Sequence, residues 1–280
     1  MKQARLKQAR LKQARLKQAR LKRVQVPTHG PPSTQTYTPH PFTLGGRGAY
    51  GGVMVAPFPT HVPSEAVAPP VRRPIVAAFR ALTALAAATG VVIELSLGSP
   101  PQVLSYFTIQ SNILLALVLA VAARRSWKPR RPVRPLITGG VLLLTAITGL
   151  VYHLLLTNTA SGFSMTDTGR GSTWETAATQ LLHTVTPIAA VLDWLLFTRP
   201  GALRIRHAGL WMAYPALYLA FTLLRGAALS PGTRARYPYP FLDAEVHGYA
   251  TVALNAAVLG ASFYALALVL VGLDRVRPIL

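Results

Sequence analysis

Two short stretches carry the groups that could do chemistry. The first, YFTIQSN at Tyr106 to Asn112, opens an apolar run that continues ILLALVLAVAA. Thr108, Ser111 and Asn112 are spaced i, i+3, i+4 and share one helix face, whereas Gln110 points elsewhere. The second is TQLLHTVTPIAAVLDW, in which Thr179, His183, Thr186 and Asp193 fall along one face. Pro187 has no N–H to offer the His183 carbonyl four residues earlier, so a kink with a free acceptor beside the imidazole is expected there. Hydroxyl, amide and imidazole groups inside apolar runs have two uses. They hydrogen-bond neighbouring helices, at about 0.6 kcal/mol per contact, or they move protons in a reaction. For Ser111 the first use is favoured, and for His183 the second.

The elements that must position these groups are membrane helices. The chain is 51% hydrophobic and 13% charged, against about 25% charge in soluble domains. Apolar runs lie at about 75–97, 104–123, 135–156, 177–197, 208–229 and 248–271, each near the twenty residues that a crossing helix needs. The expected fold is all-α, a polytopic six-transmembrane-helix bundle over 75–272. A basic, Pro/Gly-rich tail (1–74), expected to be disordered, precedes it, and a short cytoplasmic C-terminus (273–280) follows. Counting Lys and Arg beside the runs gives thirteen on one side and three on the other. By the positive-inside rule both termini then lie in the cytoplasm of a cell (inner or plasma) membrane.

This orientation puts the polar residues at one depth. Thr108 lies about one turn below the outer surface, and His183 under two turns below it. Glu94, His153, Arg225 and Asn255 fall in the same layer, about 10 Å thick given a rise of about 1.5 Å per residue. Polar groups in spans are costly unless they face the bundle interior, so a polar pocket open to the outer leaflet is expected. For Glu94 and Arg225 the alternative is snorkelling to the interface. Arg80, near the cytoplasmic end of the first span, is expected to snorkel. Ala253, Ala257, Ala261 and Ala265 form a small-residue stripe on the last run that would let helices approach closely.

The net charge of +21 does not indicate a specific nucleic-acid partner. Ten of the 29 Lys and Arg fall within four tandem KQARL copies and the two residues after them, over residues 2–23. A five-residue period forms no apolar stripe on a helix, and most of the remaining cations flank spans. Block-like positive charge of this kind reads as a solvated tail. Met54 is a second candidate start, and no signal peptide is evident because the first apolar run begins far from Met1. The chain has no cysteine, which excludes disulfides, thiolate catalysis and cysteine-bound metal clusters.

At YFTIQSN and LLHTVTPIAAVLDWLLF the sequence resembles the Pr6Pr group of six-span bacterial membrane proteins. These are similar to the eukaryotic androgen-induced and androgen-dependent TFPI-regulating transmembrane proteins. Supporting segments are GLVYHLLL, the W-x-x-YP-x-x-Y pattern from Trp211 to Tyr218, the pair Arg225–Gly226, and YPYPFLD before the last run. The resemblance covers about residues 75–272 and leaves out the tail. The eukaryotic relatives are integral-membrane threonine hydrolases of fatty acid esters of hydroxy fatty acids. By that resemblance Thr108 is the nucleophile and His183 its partner, acting on a lipid (fatty acyl) ester near the outer leaflet without a cofactor. Asn112 would donate to the oxyanion, Arg225 or His153 would hold a lipid carboxylate or the oxyanion, and Glu94 is the nearest candidate for an orienting acid. Non-enzymatic alternatives are a haem carrier with His153 and His183 as axial ligands, a zinc site from His153, His183 and Glu94, and a small-molecule or lipid transporter or sensor with helices broken at Pro187 and Pro215. Membrane lipids are the expected partners.

Overall fold

The computed structural model describes residues 72–128, 130–157 and 172–278, and the tail lies almost wholly outside them. The described residues fold into helices, without a strand. Five helices are long and apolar enough to cross a membrane: α1 (Pro74–Leu97), α2 (Phe107–Trp127), α3 (Pro135–Leu156), α4 (Thr173–Phe197) and α7 (Ala244–Val276). The run expected as a single span over 208–229 is instead two shorter helices, α5 (Ile205–Trp211) and α6 (Ala213–Ala228). The physical reason is Pro215, which has no N–H to donate to the Trp211 carbonyl. Met212 closes the break with a tighter i→i+3 bond to Gly209.

Helix ends follow local chemistry. Proline occupies the first turn of α1 and α3, where its missing N–H costs nothing. Ser172 caps α4 by accepting from the Glu175 N–H at 3.0 Å, and Asp243 caps α7 by accepting from Glu245 and Val246. Gly248, at φ 73°, breaks α7 one turn after its start, a backbone geometry that favours glycine.

Close helix approach relies on glycine. A side chain at Gly90 of α1 would collide with Leu182 of α4, and one at Gly139 of α3 with Trp211 of α5. The core runs through Ala87, Ile109, Leu143, Leu182 and Val252. Outward faces are apolar, as at Leu82, Leu85 and Val92 of α1 and Leu117 of α2, a distribution suited to lipid. The alanine stripe of the last helix is a correction to expectation. Ala253, Ala257, Ala261 and Ala265 are all exposed, and α7 buries Val252, Ala267, Leu270 and Val271 instead. Spacing defined a face of the helix correctly but not the side of the bundle to which it turns.

One end of the bundle is held by buried charge. Arg80 donates through Nε to Asp193 at 2.7 Å and through Nη1 to Ser126 at 2.9 Å. This pairing of α1 with α4 and α2 corrects the expectation that Arg80 snorkels. Nearby, Asp274 accepts from Trp194 Nε1 at 3.1 Å and from the Leu203 N–H at 2.8 Å, and pairs with Arg277. The polar residues of the candidate site lie toward the other end. Ten residues of α4 separate Asp193 from His183, about 15 Å of helix.

Candidate active site

The four polar residues of YFTIQSN reach three different helices. Thr108 Oγ1 lies 3.2 Å from Nε2 of His183 on α4. Ser111 Oγ lies 2.8 Å from Thr148 Oγ1 on α3. Asn112 accepts at Oδ1 from Thr186 on α4, at 2.7 Å. Gln110 accepts from Tyr214 on α6, at 2.8 Å. Helix α2 thus begins as a polar hub. Thr108 and His183 are 3% and 1% exposed, so the contact between them is made away from solvent.

Two π-helical turns shape the hub, Tyr152–Leu156 in α3 and Leu181–Val185 in α4. Such turns are frequent at functional sites because they re-aim side chains without ending a helix. The two turns face each other: the Tyr152 ring stacks on His183 with centroids 4.1 Å apart, and His153 Nε2 lies 3.1 Å from Thr184 Oγ1. In the α4 turn the Thr186 N–H bonds to Leu181 O. Pro187 can offer nothing to Leu182 O or His183 O. Asn112 Nδ2 takes up Leu182 O at 3.3 Å while also holding Thr108 O at 2.9 Å. The carbonyl of His183 lies beside Gly149, where a side chain would press on it. Pro187 was expected to free an acceptor; the structure adds that the π turn leaves two, and that Asn112 serves one of them.

The direction of each hydrogen bond follows from the groups present. His183 Nδ1 lies 3.1 Å from the Thr179 carbonyl, which can only accept, so Nδ1 carries the ring proton. Nε2 is then the acceptor, and Thr108 Oγ1 donates to it. A third group completes the cluster: the Tyr239 hydroxyl lies 3.3 Å from Thr108 Oγ1 and 3.3 Å from the Thr108 N–H. Tyr239 stands in the connection between α6 and α7, and burial pushes its hydroxyl pKa up to about 12. Sequence spacing could not reveal this contact, since 131 positions separate the two residues. The one hint was YPYPFLD as a segment of the resemblance.

Beside the cluster lies an apolar cavity of about 270 Å³. Thr108 and Tyr239 sit on its wall with Thr148 and Tyr218, and Leu219, Gly260 and Phe263 are among its apolar lining. Among the described residues a second groove, of about 430 Å³, passes His183 on its other side, bounded by His153, Pro187 and Leu266.

The chain matches no family model, no curated protein and no solved structure.

Several expected roles change. Both N–H bonds of the Asn112 amide go to backbone carbonyls, so the residue braces the cluster and has none left for an oxyanion. Arg225 Nη1 donates to Ala235 O and Arg236 O, both at 2.8 Å, and so holds the connection that carries Tyr239. Asn255 donates to Phe241 O at 3.0 Å, tying the same connection to α7. Ser111 joins α2 to α3, as the structural reading of it expected. His153 Nε2, expected to hold a lipid carboxylate or the oxyanion, is engaged by Thr184. Glu94 is 1% exposed, and both of its carboxyl oxygens lack a hydrogen-bond partner among the described residues. It neither reaches His183 nor snorkels, so it does not serve as the orienting acid. The Thr179 carbonyl holds the imidazole instead.

In this arrangement the two histidines are committed to different protein partners. Both ring nitrogens of His183 are engaged, its face is covered by Tyr152, and His153 Nε2 is used by Thr184. Among the described residues no three His, Asp or Glu side chains converge as metal ligands.

Proposed function

We propose that this chain is an integral-membrane hydrolase of fatty acyl esters in which Thr108 is the nucleophile and His183 the general base. The observation that carries the reading is the 3.2 Å approach of Thr108 Oγ1 to an imidazole nitrogen that must accept, on the wall of an apolar cavity. Resemblance to the Pr6Pr and androgen-induced protein group supports the same pair. The site would lie near the outer leaflet of a cell membrane, reached from lipid, in a bundle counted as six spans if α5 and α6 cross together. Both termini would be cytoplasmic.

The reaction divides a hard step into two easier ones. Thr108 Oγ attacks the ester carbonyl carbon while its proton passes to His183 Nε2. The carbonyl π pair moves to oxygen, giving a tetrahedral oxyanion. Its collapse breaks the bond to the leaving alkoxide, which takes the proton from Nε2, and an acyl ester on Thr108 remains. Water then attacks that ester with His183 as base, and collapse releases the carboxylic acid and returns the proton to Thr108. Proton transfer of this kind contributes about 10²–10⁴ in rate. The apolar wall suits an acyl chain, and burial of the pair keeps bulk water from competing at the first step.

The test uses the full chain in detergent or liposomes with a long-chain p-nitrophenyl ester and a fluorophosphonate probe. Wild type is expected to turn over and to be labelled at Thr108, and Thr108→Ala and His183→Ala to lose both. Equal turnover and labelling in all three would overturn the reading. Tight binding of a non-hydrolysable acyl ether without ester turnover would favour the second reading, a lipid carrier or sensor that uses the same apolar cavity.

A further inference from the structure

We infer that Tyr239 is a third catalytic residue, holding Thr108 ready in the resting enzyme and donating its hydroxyl proton in a hydrogen bond to the oxyanion. This rests on the threonine-hydrolase reading above and assigns the charge stabilisation which that reading leaves unassigned.

The contacts among Tyr239, Thr108 and His183 fit one order of protons. Thr108 Oγ1 spends its single proton on His183 Nε2, 3.2 Å away. It must therefore be the acceptor in its 3.3 Å contact with the Tyr239 hydroxyl, which donates. The Tyr239 oxygen in turn accepts the Thr108 N–H at 3.3 Å. The proton order thus runs from the Tyr239 hydroxyl through Thr108 to His183, and from Nδ1 to the Thr179 carbonyl. It points the nucleophile's proton at the base.

Attack on a carbonyl changes what this arrangement offers. Once Oγ1 is bonded to the substrate carbon it becomes a poor acceptor. The new oxyanion stands one bond angle away from it, within reach of a phenol that rotates about its C–O bond. The Thr108 N–H, held by Tyr239 in the resting state, is released to the same place. This N–H belongs to the first turn of α2, at the positive end of the helix dipole. An oxyanion site of one phenol and one first-turn N–H results, with no charged residue. Tyr239 is 5% exposed and its hydroxyl pKa stands at about 12, so the phenol keeps its proton across the working range and remains a donor. Both Tyr239 and Thr108 line the apolar cavity, so a substrate arriving there meets nucleophile and donor together.

The structure also shows why Tyr239 is held so firmly. Arg225 fixes Ala235 O and Arg236 O, Arg236 Nε donates to Gly226 O at 2.6 Å, and Asn255 fixes Phe241 O. Preorganised donors of this type stabilise developing charge without reorganisation during the reaction.

The test compares wild type, Tyr239→Phe, Thr108→Ala and a protein with a fluorinated tyrosine at position 239, all as full chain in liposomes with a long-chain p-nitrophenyl ester. Tyr239→Phe keeps the ring in its packing and is expected to lower kcat about 10²–10³-fold with KM little changed. Fluorotyrosine, whose phenol ionises at lower pH, is expected to move the alkaline fall of kcat to lower pH, which a purely structural ring would not do. Wild-type kcat in Tyr239→Phe, or an unmoved alkaline limb with fluorotyrosine, overturns the inference while leaving Thr108 and His183 in place. Undiminished turnover in Thr108→Ala overturns the underlying reading, and this inference with it.

Discussion

The Thr186 hydroxyl donates to Asn112 Oδ1 at 2.7 Å, and the same amide reaches across with its nitrogen to Thr108 O and Leu182 O. Asn112 is therefore a three-way clamp between the start of α2 and the π turn of α4, and it sets the spacing between Thr108 and His183. Asn112→Leu removes three side-chain bonds, each about 0.6 kcal/mol within a membrane. A loss of about 2 kcal/mol is expected by equilibrium unfolding in mixed micelles. Thr186→Val should cost less, and the double variant less than the sum, because the two residues share one bond. Additive losses would show that Asn112 and Thr186 act separately.

Gly260 lines the apolar cavity beside Thr108 and Tyr239. A Cβ built at Gly260 would meet no atom within 4 Å, so a larger side chain there would extend from open space into the cavity. Its backbone is helical, so substitution is free of left-handed strain. Gly260→Phe should fold normally, fill part of the cavity and lower turnover of long acyl esters far more than that of butyrate esters. Kinetics on a chain-length series of p-nitrophenyl esters reads this directly. An unchanged ratio of long- to short-chain kcat/KM would place the acyl chain elsewhere.

Gly226 packs against Tyr237, in the connection that carries Tyr239. A Cβ at Gly226 would overlap the buried Tyr237 ring, and Tyr237 lies two residues from Tyr239. Gly226→Ala must push the Tyr237 ring and its connection away. A displacement of about 1 Å at a reacting group costs about 10² in rate. The expected result is a strong fall in kcat together with a lower melting temperature. Gly226→Ala with wild-type kcat would show that the connection accommodates the methyl without moving Tyr239.

Much of this architecture was legible in the sequence because hydropathy and length report depth. Thr108 and His183 fell in one layer once the runs were counted, and the structure brings them together. Depth alone would also have paired Arg80 with Asp193, each near the same end of its span; assigning Arg80 to the interface in isolation missed this. Other features had no local signal. A π turn of five residues leaves no mark on a helical periodicity. Tyr239 comes from a connection between helices, where no spacing rule applies, and the break at Met212 split a run whose hydropathy reads as continuous. Asn112 was read as an oxyanion donor because its position one turn from Thr108 is visible, whereas the carbonyls that consume its protons depend on a neighbouring helix.

Arg80 and Asp193 supply the last test, and it separates stability from chemistry. Their side chains are 11% and 10% exposed, and two N–H···O contacts at 2.7 and 3.2 Å join α1 to α4. Removing one partner leaves an uncompensated charge with little solvent, a loss of about 3–5 kcal/mol. Replacing both with apolar groups removes charge and desolvation cost together. Asp193→Ala is therefore expected to lower stability steeply, and Arg80→Met with Asp193→Leu to recover most of it. Because Asp193 lies ten residues along α4 from His183, turnover per folded molecule should change little in either variant. A double variant as unstable as the single would mean that Ser126, which also accepts from Arg80, carries more of this end of the bundle than the ion pair does.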